Sequence, residues 1–278
     1  MKKFWKNANG RLKTGIIMTA FFFFVGFVIY YIPHINPFTF NTYDKNLPPS
    51  WEHWLGTTAV GQDVLWLLIY AIRCSLSTGL LVAVLCPVVV VFVGLVSRVS
   101  GGAVDRTLMV VTDTFVVIPS LPMLILMTAL MKGTSTVILM ALVLAMFAWA
   151  WPSRQIRSMA LTLKERDFIH TARFSGEGTI QIVVTEILPY ALSWSLSNFM
   201  NATLSAIASE SSLAVLGLSP ANLISLGNMI QWARARNAIM AQRWFWIGSP
   251  ILATMLLFIG LFLLITGYND YMSMKRGR

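Results

Sequence analysis

Residues 152–189 read PSRQIRSMALTLKERDFIHTARFSGEGTIQIVVTEILP, and this polar stretch decides how the rest of the chain folds. It mixes Arg154, Arg157, Lys164, Glu165, Arg166, Asp167, Arg173, Glu177 and Glu186 in a chain that is only 12% charged. Long apolar runs lie on both sides of it. A segment this polar between such runs belongs outside a bilayer, and at 38 residues (189 − 152 + 1) it is long for a connector without a task. It therefore reads as a surface that something outside the membrane grips.

The composition supports a membrane setting. Hydrophobic residues make up 56% of the chain and the mean hydropathy is +0.70, whereas soluble domains carry about 25% charged residues. Too little polar surface remains to coat the molecule in water. A hydrocarbon core about 30 Å thick needs about 20 apolar helical residues, and six segments approach that length: 15–32, 75–97, 107–131, 136–151, 190–208 and 247–268. Strand-like alternation is absent, so helices rather than a barrel are expected. The expected fold is an all-α polytopic membrane protein, six transmembrane helices in one domain over residues 1–278.

Basic residues set the expected orientation. With the N-terminus in the cytoplasm, fifteen of the 21 Lys+Arg fall inside, among them Lys2, Arg11, Arg98, Arg106, Arg154, Arg157, Arg173 and Lys275. Lys45, Arg73, Lys132, Arg234, Arg236 and Arg243 fall outside, a ratio that obeys the positive-inside rule. Segments 1–14 and 152–189 are then cytoplasmic, 33–74 and 209–246 extracytoplasmic, and both chain ends lie inside. The net charge of +10 is spread over membrane-flanking loops rather than gathered on one soluble face, which argues against a nucleic-acid partner.

The apolar run after Lys2, Lys3 and Lys6 resembles a secretion signal, but it is long and leads into Pro33 to Pro37 rather than a small-residue cleavage site. A retained anchor is expected. Residues 60–73 look amphipathic, as in an interfacial helix leading into the second span. Cys74 and Cys86, twelve residues apart on one span, are too far apart to bond and read as apolar packers.

Catalytic and metal motifs are missing. No Gly-Lys pair exists to start a P-loop, so the chain cannot hydrolyse a nucleotide by that route. His34, His53 and His170 lie on separate segments without HExxH spacing, and no GxSxG elbow occurs. No catalytic residue and no metal ligand is assigned, and no cofactor is expected on this chain.

Asp113 is the single carboxylate within the spans. A charge at helix centre costs about 2.5–3.5 kcal/mol on insertion scales, so Asp113 faces either a translocation path or a bonded neighbour on another span. Beyond it, Pro119 and Pro122 each remove a helical donor, predicting a span broken twice. Kinked spans line paths or serve packing, and Asp113, Pro119 and Ser120 are the path candidates.

Within the inner loop, residues 163–175 predict a helix with apolar Leu163, Phe168 and Ile169. Gly176 stands where a left-handed cap would end it. A second short helix over 179–187 follows, with Pro189 as its stop and as the entry to span five. Two short helices joined at a glycine make a lever whose motion passes into spans four and five; the plainer alternative is a solvated connector.

The run Thr171-Ala172-Arg173-Phe174-Ser175-Gly176, with Glu186-Ile187-Leu188-Pro189, resembles the EAA loop of ABC-importer permeases. His53-Trp54-Leu55-Gly56-Thr57 with Gly61-Gln62-Asp63-Val64-Leu65 is similar to the HxLGTDxxGRDVL segment of the dipeptide/oligopeptide and nickel permeases, C-type subunit. Ser100 to Asp105, Asp113 through Ser120, Leu213 to Leu218 and Leu226 to Met229 extend the likeness from about Trp51 onward.

That resemblance implies the type I importer permease fold and one half of a translocation path for peptides. Nickel or a metal chelate is the alternative cargo, and a stand-alone channel or membrane-embedded enzyme the rival of another class. It implies a second, homologous permease as heterodimer partner, two ATP-binding cassette subunits that use the ATP, an extracytoplasmic substrate-binding protein, a prokaryotic inner membrane and its lipid. ATPase docking would fall to His170, Thr171, Ala172, Arg173, Gly176, Glu186, Leu188 and Pro189. The chain departs from the family at His170, where the triplet is acidic, at Thr171, where it is alanine, and at Thr58 and Gln62, where Asp and Arg are usual. The lost carboxylate removes a charge-assisted bond worth about 1.5–3 kcal/mol if buried.

Overall fold

The computed structural model describes residues 9–32, 39–100, 102–130, 136–220 and 223–276. Lys2, Pro33, His34, Pro37 and Lys132 lie outside them, and so does the question of a leader before residue 9. Helices build nearly all of it: α1 Gly10–Phe27, α2 Val64–Ser100, α3 Gly102–Val117, α4 Ser120–Leu130, α5 Val137–Ala148, α6 Ala150–Lys164, α7 Asp167–Phe174, α8 Thr179–Ile182, α9 Leu188–Val215, α10 Leu226–Ala235 and α11 Trp244–Arg276. Among the described residues the sole β element is an isolated bridge between Thr57 and Asp63.

Three helices are long and apolar enough to cross a bilayer unaided: Gly10–Tyr31, Val64–Leu95 and Trp244–Met274. Two bent pairs raise the total to five. Gly102–Val117 and Ser120–Leu130 meet at 84°, and Val137–Ala148 and Ala150–Leu163 at 46°. The remaining expected span, the fifth, 190–208, lies within the helix α9, 28 residues long and therefore about 42 Å at 1.5 Å per residue. It falls short in apolarity because of its many Ser, Asn and Thr residues. Several of these satisfy themselves: the Ser195 and Thr203 hydroxyls donate to the carbonyls of Ala191 and Phe199 at 2.8 and 2.9 Å.

Four local expectations are corrected. The third span breaks once, at Ile118-Pro119; Pro122 sits in the first turn of α4, where no intrahelical donor is needed. No separate interfacial helix covers 60–73, because α2 starts at Val64 and runs unbroken past Cys74. Asp63 caps it, its Oδ1 accepting from the Leu65 and Trp66 amides at 2.8 and 3.2 Å. Leu163 belongs to the last turn of α6, so the loop's first short helix begins only at Asp167. Pro189 does not stop a helix but occupies the first turn of α9, where its missing N–H costs nothing.

Packing separates two ends. α1 lies along α11 so closely that a Cβ on Gly15 would strike the Leu264 backbone, and one on Gly267 the Leu12 backbone. Small residues admit such an approach where apolar burial cannot drive helices together in lipid. At one end Asn9 and Arg11 reach Asp270 at 3.3 and 3.5 Å. At the other, Arg73 stacks on Tyr30, 3.9 Å from its ring centre, and the Leu226 amide donates to Ser75 Oγ at 3.1 Å. Cys74 and Cys86 are buried, free thiols.

The segment before α2 is held by its own bonds despite the two family departures. Thr58 is fully buried, its hydroxyl accepting from the Gln62 and Val60 amides at 3.1 and 3.3 Å. His53 Nδ1 meets Asp63 Oδ2 at 2.7 Å, with Tyr43 edge-on to the His53 ring.

Candidate functional site

The polar stretch folds into a compact stirrup. α6 carries the chain out of its span; α7, α8 and a π turn at Val183–Ile187 return it to α9. Ala160 of α6, Ile169 and Ala172 of α7, and Ile182, Val183 and Ile187 are buried in one small cluster, with Leu95 of α2, Leu163 and Phe168 against it. Burying one Ile contributes about 1.5–3 kcal/mol, so the stirrup is fastened to α6 rather than left loose.

The turn between its two arms has the expected cap. Gly176 has φ +85°, a conformation that glycine adopts without steric cost. The Glu177 amide then donates back to the Ala172 carbonyl at 3.1 Å, the six-to-one bond of a Schellman motif. Around this cap, His170, Thr171, Phe174 and Ser175 are exposed. Thr171 Oγ1 donates to the Asp167 carbonyl at 3.1 Å.

The other sequence-derived residues divide between surface and interior. Ala172 points inward at 8% exposure, so it seats α7 rather than offering a contact. Glu186 and Leu188 are half-buried and Pro189 exposed at the foot of α9. Arg173 lies on α7, one residue before Phe174. The residue that sequence reasoning passed over is Phe174, 93% exposed. A bulky aromatic two residues before a capping glycine, in a polar loop, was the available signal.

Two ion pairs tie α6 to α3. Arg157 Nε and NH2 donate to the two carboxylate oxygens of Asp105 at 2.8 and 2.6 Å. Arg154 Nε lies 3.4 Å from Asp113 Oδ1, with both side chains about half exposed. Asp113 thus has a partner on a neighbouring helix while remaining about half exposed. Pro119 and Ser120, both exposed, form the 84° corner between α3 and α4. α6 packs against both groups, through Arg154–Asp113 and Arg157–Asp105 on one side and Ala160 in the stirrup core on the other.

This arrangement of a stirrup hung between two apolar helices is matched at the level of family. Residues 90–276 fit the model of the binding-protein-dependent transport system inner membrane component. The chain belongs to that family. It is 34% identical over 206 residues to an oligopeptide transport system permease protein OppC of Mycobacterium tuberculosis, covering 72% of this chain and 70% of the relative. The OppC of Mycobacterium bovis matches to the same extent. The OppC of Bacillus subtilis is 29% identical over 233 residues, 81% of this chain and 75% of that one. The chain is accordingly a multi-pass permease subunit of an ABC importer, and the region matched contains the whole stirrup and both ion pairs.

At the opposite end of α9, a buried network fixes the segment that follows it. Glu210 is fully buried; Ser225 Oγ donates to its Oε1 at 2.6 Å and Ser219 Oγ at 3.4 Å. Asn228 Nδ2 donates to Ser219 Oγ at 3.2 Å and to the Pro220 carbonyl at 3.1 Å, and also to the Leu223 carbonyl. Glu210 lies past the apolar stretch 190–208, in the segment expected outside. Burial pushes its carboxyl up to about 7, against the lowering effect of the Ser225 and Ser219 hydroxyls. Sequence reasoning missed this residue, because a lone Glu among serines gives no sign of being enclosed.

Proposed function

We propose that this permease subunit forms half of the path of an ATP-driven peptide importer and receives its driving force through residues 152–189. The stirrup carries the reading: a packed, capped pair of short helices with His170, Thr171, Phe174 and Gly176 outermost, ion-paired through α6 to α3. A surface of this shape suits insertion into a cleft of a separate ATPase, with Arg173 and Glu186 at its margins and Leu188 and Pro189 fixing entry into α9. Two such ATPase subunits, a second permease and an extracytoplasmic peptide-binding protein complete the assembly. Peptide as cargo rests on the relatives' names.

The mechanism is a biased equilibrium. The chain supplies two arrangements of its helices, and ATP bound elsewhere favours one over the other by differential contact with the stirrup. Movement of α7 enters α6 through their shared core and reaches α3 through Arg157–Asp105. The 84° corner at Pro119 is where α3 motion alters α4, beside Asp113 and Ser120. Both chain ends and the stirrup are assigned to the cytoplasm of an inner membrane by the positive-inside count.

Two measurements test this. Cysteine placed at Thr171 is expected to cross-link to a co-expressed ATPase subunit in membrane vesicles, and peptide with binding protein is expected to stimulate ATP hydrolysis by the purified assembly. Labelling of residues 170–176 by an impermeant reagent from outside intact cells overturns the assignment. Stimulation by a nickel chelate in place of peptide replaces the cargo.

A further inference from the structure

A cavity of mixed polar and apolar lining lies close to the stirrup. It holds about 640 Å³ between the last turns of α6, the first turns of α9 and the last turns of α11. Arg166, Tyr190, Trp194, Ser197, Tyr268 and Asn269 carry its chemistry. That volume falls within the roughly 300–1,000 Å³ of small-molecule sites.

Its charge is one-sided. Among the described residues, Arg166 is the one cation lining the cavity and no carboxylate lines it. Its sequence neighbours Glu165 and Asp167 are not part of the wall. Asp270, the nearest acid along α11, is engaged with Arg11 and Asn9 of α1. Among the described residues no carboxylate pairs with the Arg166 guanidinium. The Ser197 hydroxyl donates to Asn269 Oδ1 at 2.7 Å, which orients the amide and leaves its NH2 as a further donor.

Its depth is that of a lipid headgroup. The apolar span of α11 ends at Met274, so Tyr268 and Asn269 stand within its last two turns. Trp and Tyr gather at this level of a bilayer because their rings are apolar at one end and polar at the other. Met159, Leu163 and Met272 add apolar wall beside the polar groups. A guanidinium, an amide, a hydroxyl and interfacial aromatics beside apolar side chains match a phosphodiester on an acyl-bearing glycerol.

We propose that this cavity seats the headgroup of an anionic phospholipid, with Arg166 as its counter-ion. Phe168 of α7 stacks on Tyr190, their ring centres 5.9 Å apart, so an occupied cavity braces the stirrup where it meets α9. That consequence rests on the coupling function above, whereas the binding itself does not.

The test uses the chain purified with whatever subunits accompany it, exchanged into detergent with equal dioleoyl phosphatidylglycerol and dioleoyl phosphatidylcholine. Native mass spectrometry counts the lipid retained. The expected result is preferential retention of phosphatidylglycerol, reduced about fivefold by Arg166→Gln, the size of effect of one basic residue at an anionic surface. Arg166→Lys restores most of it, which guards against a folding defect, and Arg234→Gln at the opposite end changes nothing. Equal retention of both lipids, or parental retention by Arg166→Gln, overturns the site. So does cross-linking of Met272→Cys to another subunit across the cavity. ATPase subunits in the same preparation report on the coupling function separately: their absence with lipid preference intact refutes that function and leaves the lipid site standing.

Discussion

Arg157 of α6 grips Asp105 of α3 with two nitrogens, Nε at 2.8 Å from one carboxylate oxygen and NH2 at 2.6 Å from the other. Two parallel bonds fix the relative rotation of the helices as well as their separation, which a single contact does not. α6 also holds Ala160 in the stirrup's core, so one helix is rigidly joined to both the stirrup and α3. Arg154–Asp113 lies on the same pair of helices but is longer and more open, and so constrains them less.

The charge swap tests that division. Asp105→Asn or Arg157→Gln is expected to lower ATP-driven uptake in proteoliposomes while leaving the protein in the membrane. Asp105→Arg combined with Arg157→Asp is expected to recover part of it. The side chains are 30% and 23% exposed, so solvent screening reduces the ~1.5–3 kcal/mol of a charge-assisted bond to a coupling of about 1–2 kcal/mol. Arg154→Gln is expected to change uptake less than Arg157→Gln. Equal loss from the two would contradict the rigid-tie assignment.

Gly176 offers a backbone test. A side chain at φ +85° costs about 1–2 kcal/mol, more for a β-branched residue, but no neighbouring atom would obstruct a Cβ there. Gly176→Val is therefore expected to reach the membrane in parental amounts and to lose uptake, through loss of the Schellman bond and of the angle between α7 and α8. Gly176→Asn, which tolerates the left-handed region, is expected to retain most uptake. Parental transport by the valine variant would show that the angle does not matter.

Phe174 tests the docking surface directly. Most exposed apolar side chains among the described residues sit on the long apolar helices. Phe174 is 93% exposed on the polar loop between them. Buried aromatic anchors in interfaces contribute about 2 kcal/mol or more, equivalent to about 30-fold in affinity. Phe174→Ala is expected to weaken binding of the ATPase subunit to the chain in nanodiscs by that order, and Phe174→Trp to keep it. Unchanged ATPase binding by the alanine variant would move the contact elsewhere on the stirrup.

What could be read in the sequence follows the range of the forces involved. Gly176, the two short helices and the apolar spans depend on neighbours within a few residues, and the chain shows them directly. The position of Pro119 was also legible, but not that Pro122 is harmless, because this depends on where α4 begins. Asp113 was visible as a charge in an apolar run, yet its partner Arg154 and the pair Asp105–Arg157, 52 residues apart, exist only once α3 and α6 pack. The fifth expected span shows the same limit. Its polar residues obscure a helix in which Ser195 and Thr203 bond its own carbonyls and Ser197 bonds Asn269.

Glu210 leads to a pH dependence at the far end of α9. Its carboxyl is raised from an ordinary 4.5 to about 7 by burial, so the folded protein holds a proton that the unfolded chain releases. The resulting stabilisation is complete below about 4.5 and is lost as pH rises through about 7. The Cys74 thiol of α2 is the titratable neighbour that feels its charge, and Ser219, Ser225 and Asn228 form the rest of the network. Rising pH should therefore loosen the attachment of the 217–235 segment to α9. Hydrogen exchange in that segment is expected to quicken between about pH 4.5 and pH 7 beyond the intrinsic chemical rate, and to gain no further excess above that range. Glu210→Gln, neutral at every pH, is expected to abolish that excess, while Ser225→Ala, which removes a hydroxyl that favours the charged form, should move it to higher pH. An excess that persists in the glutamine variant would assign the effect to another group.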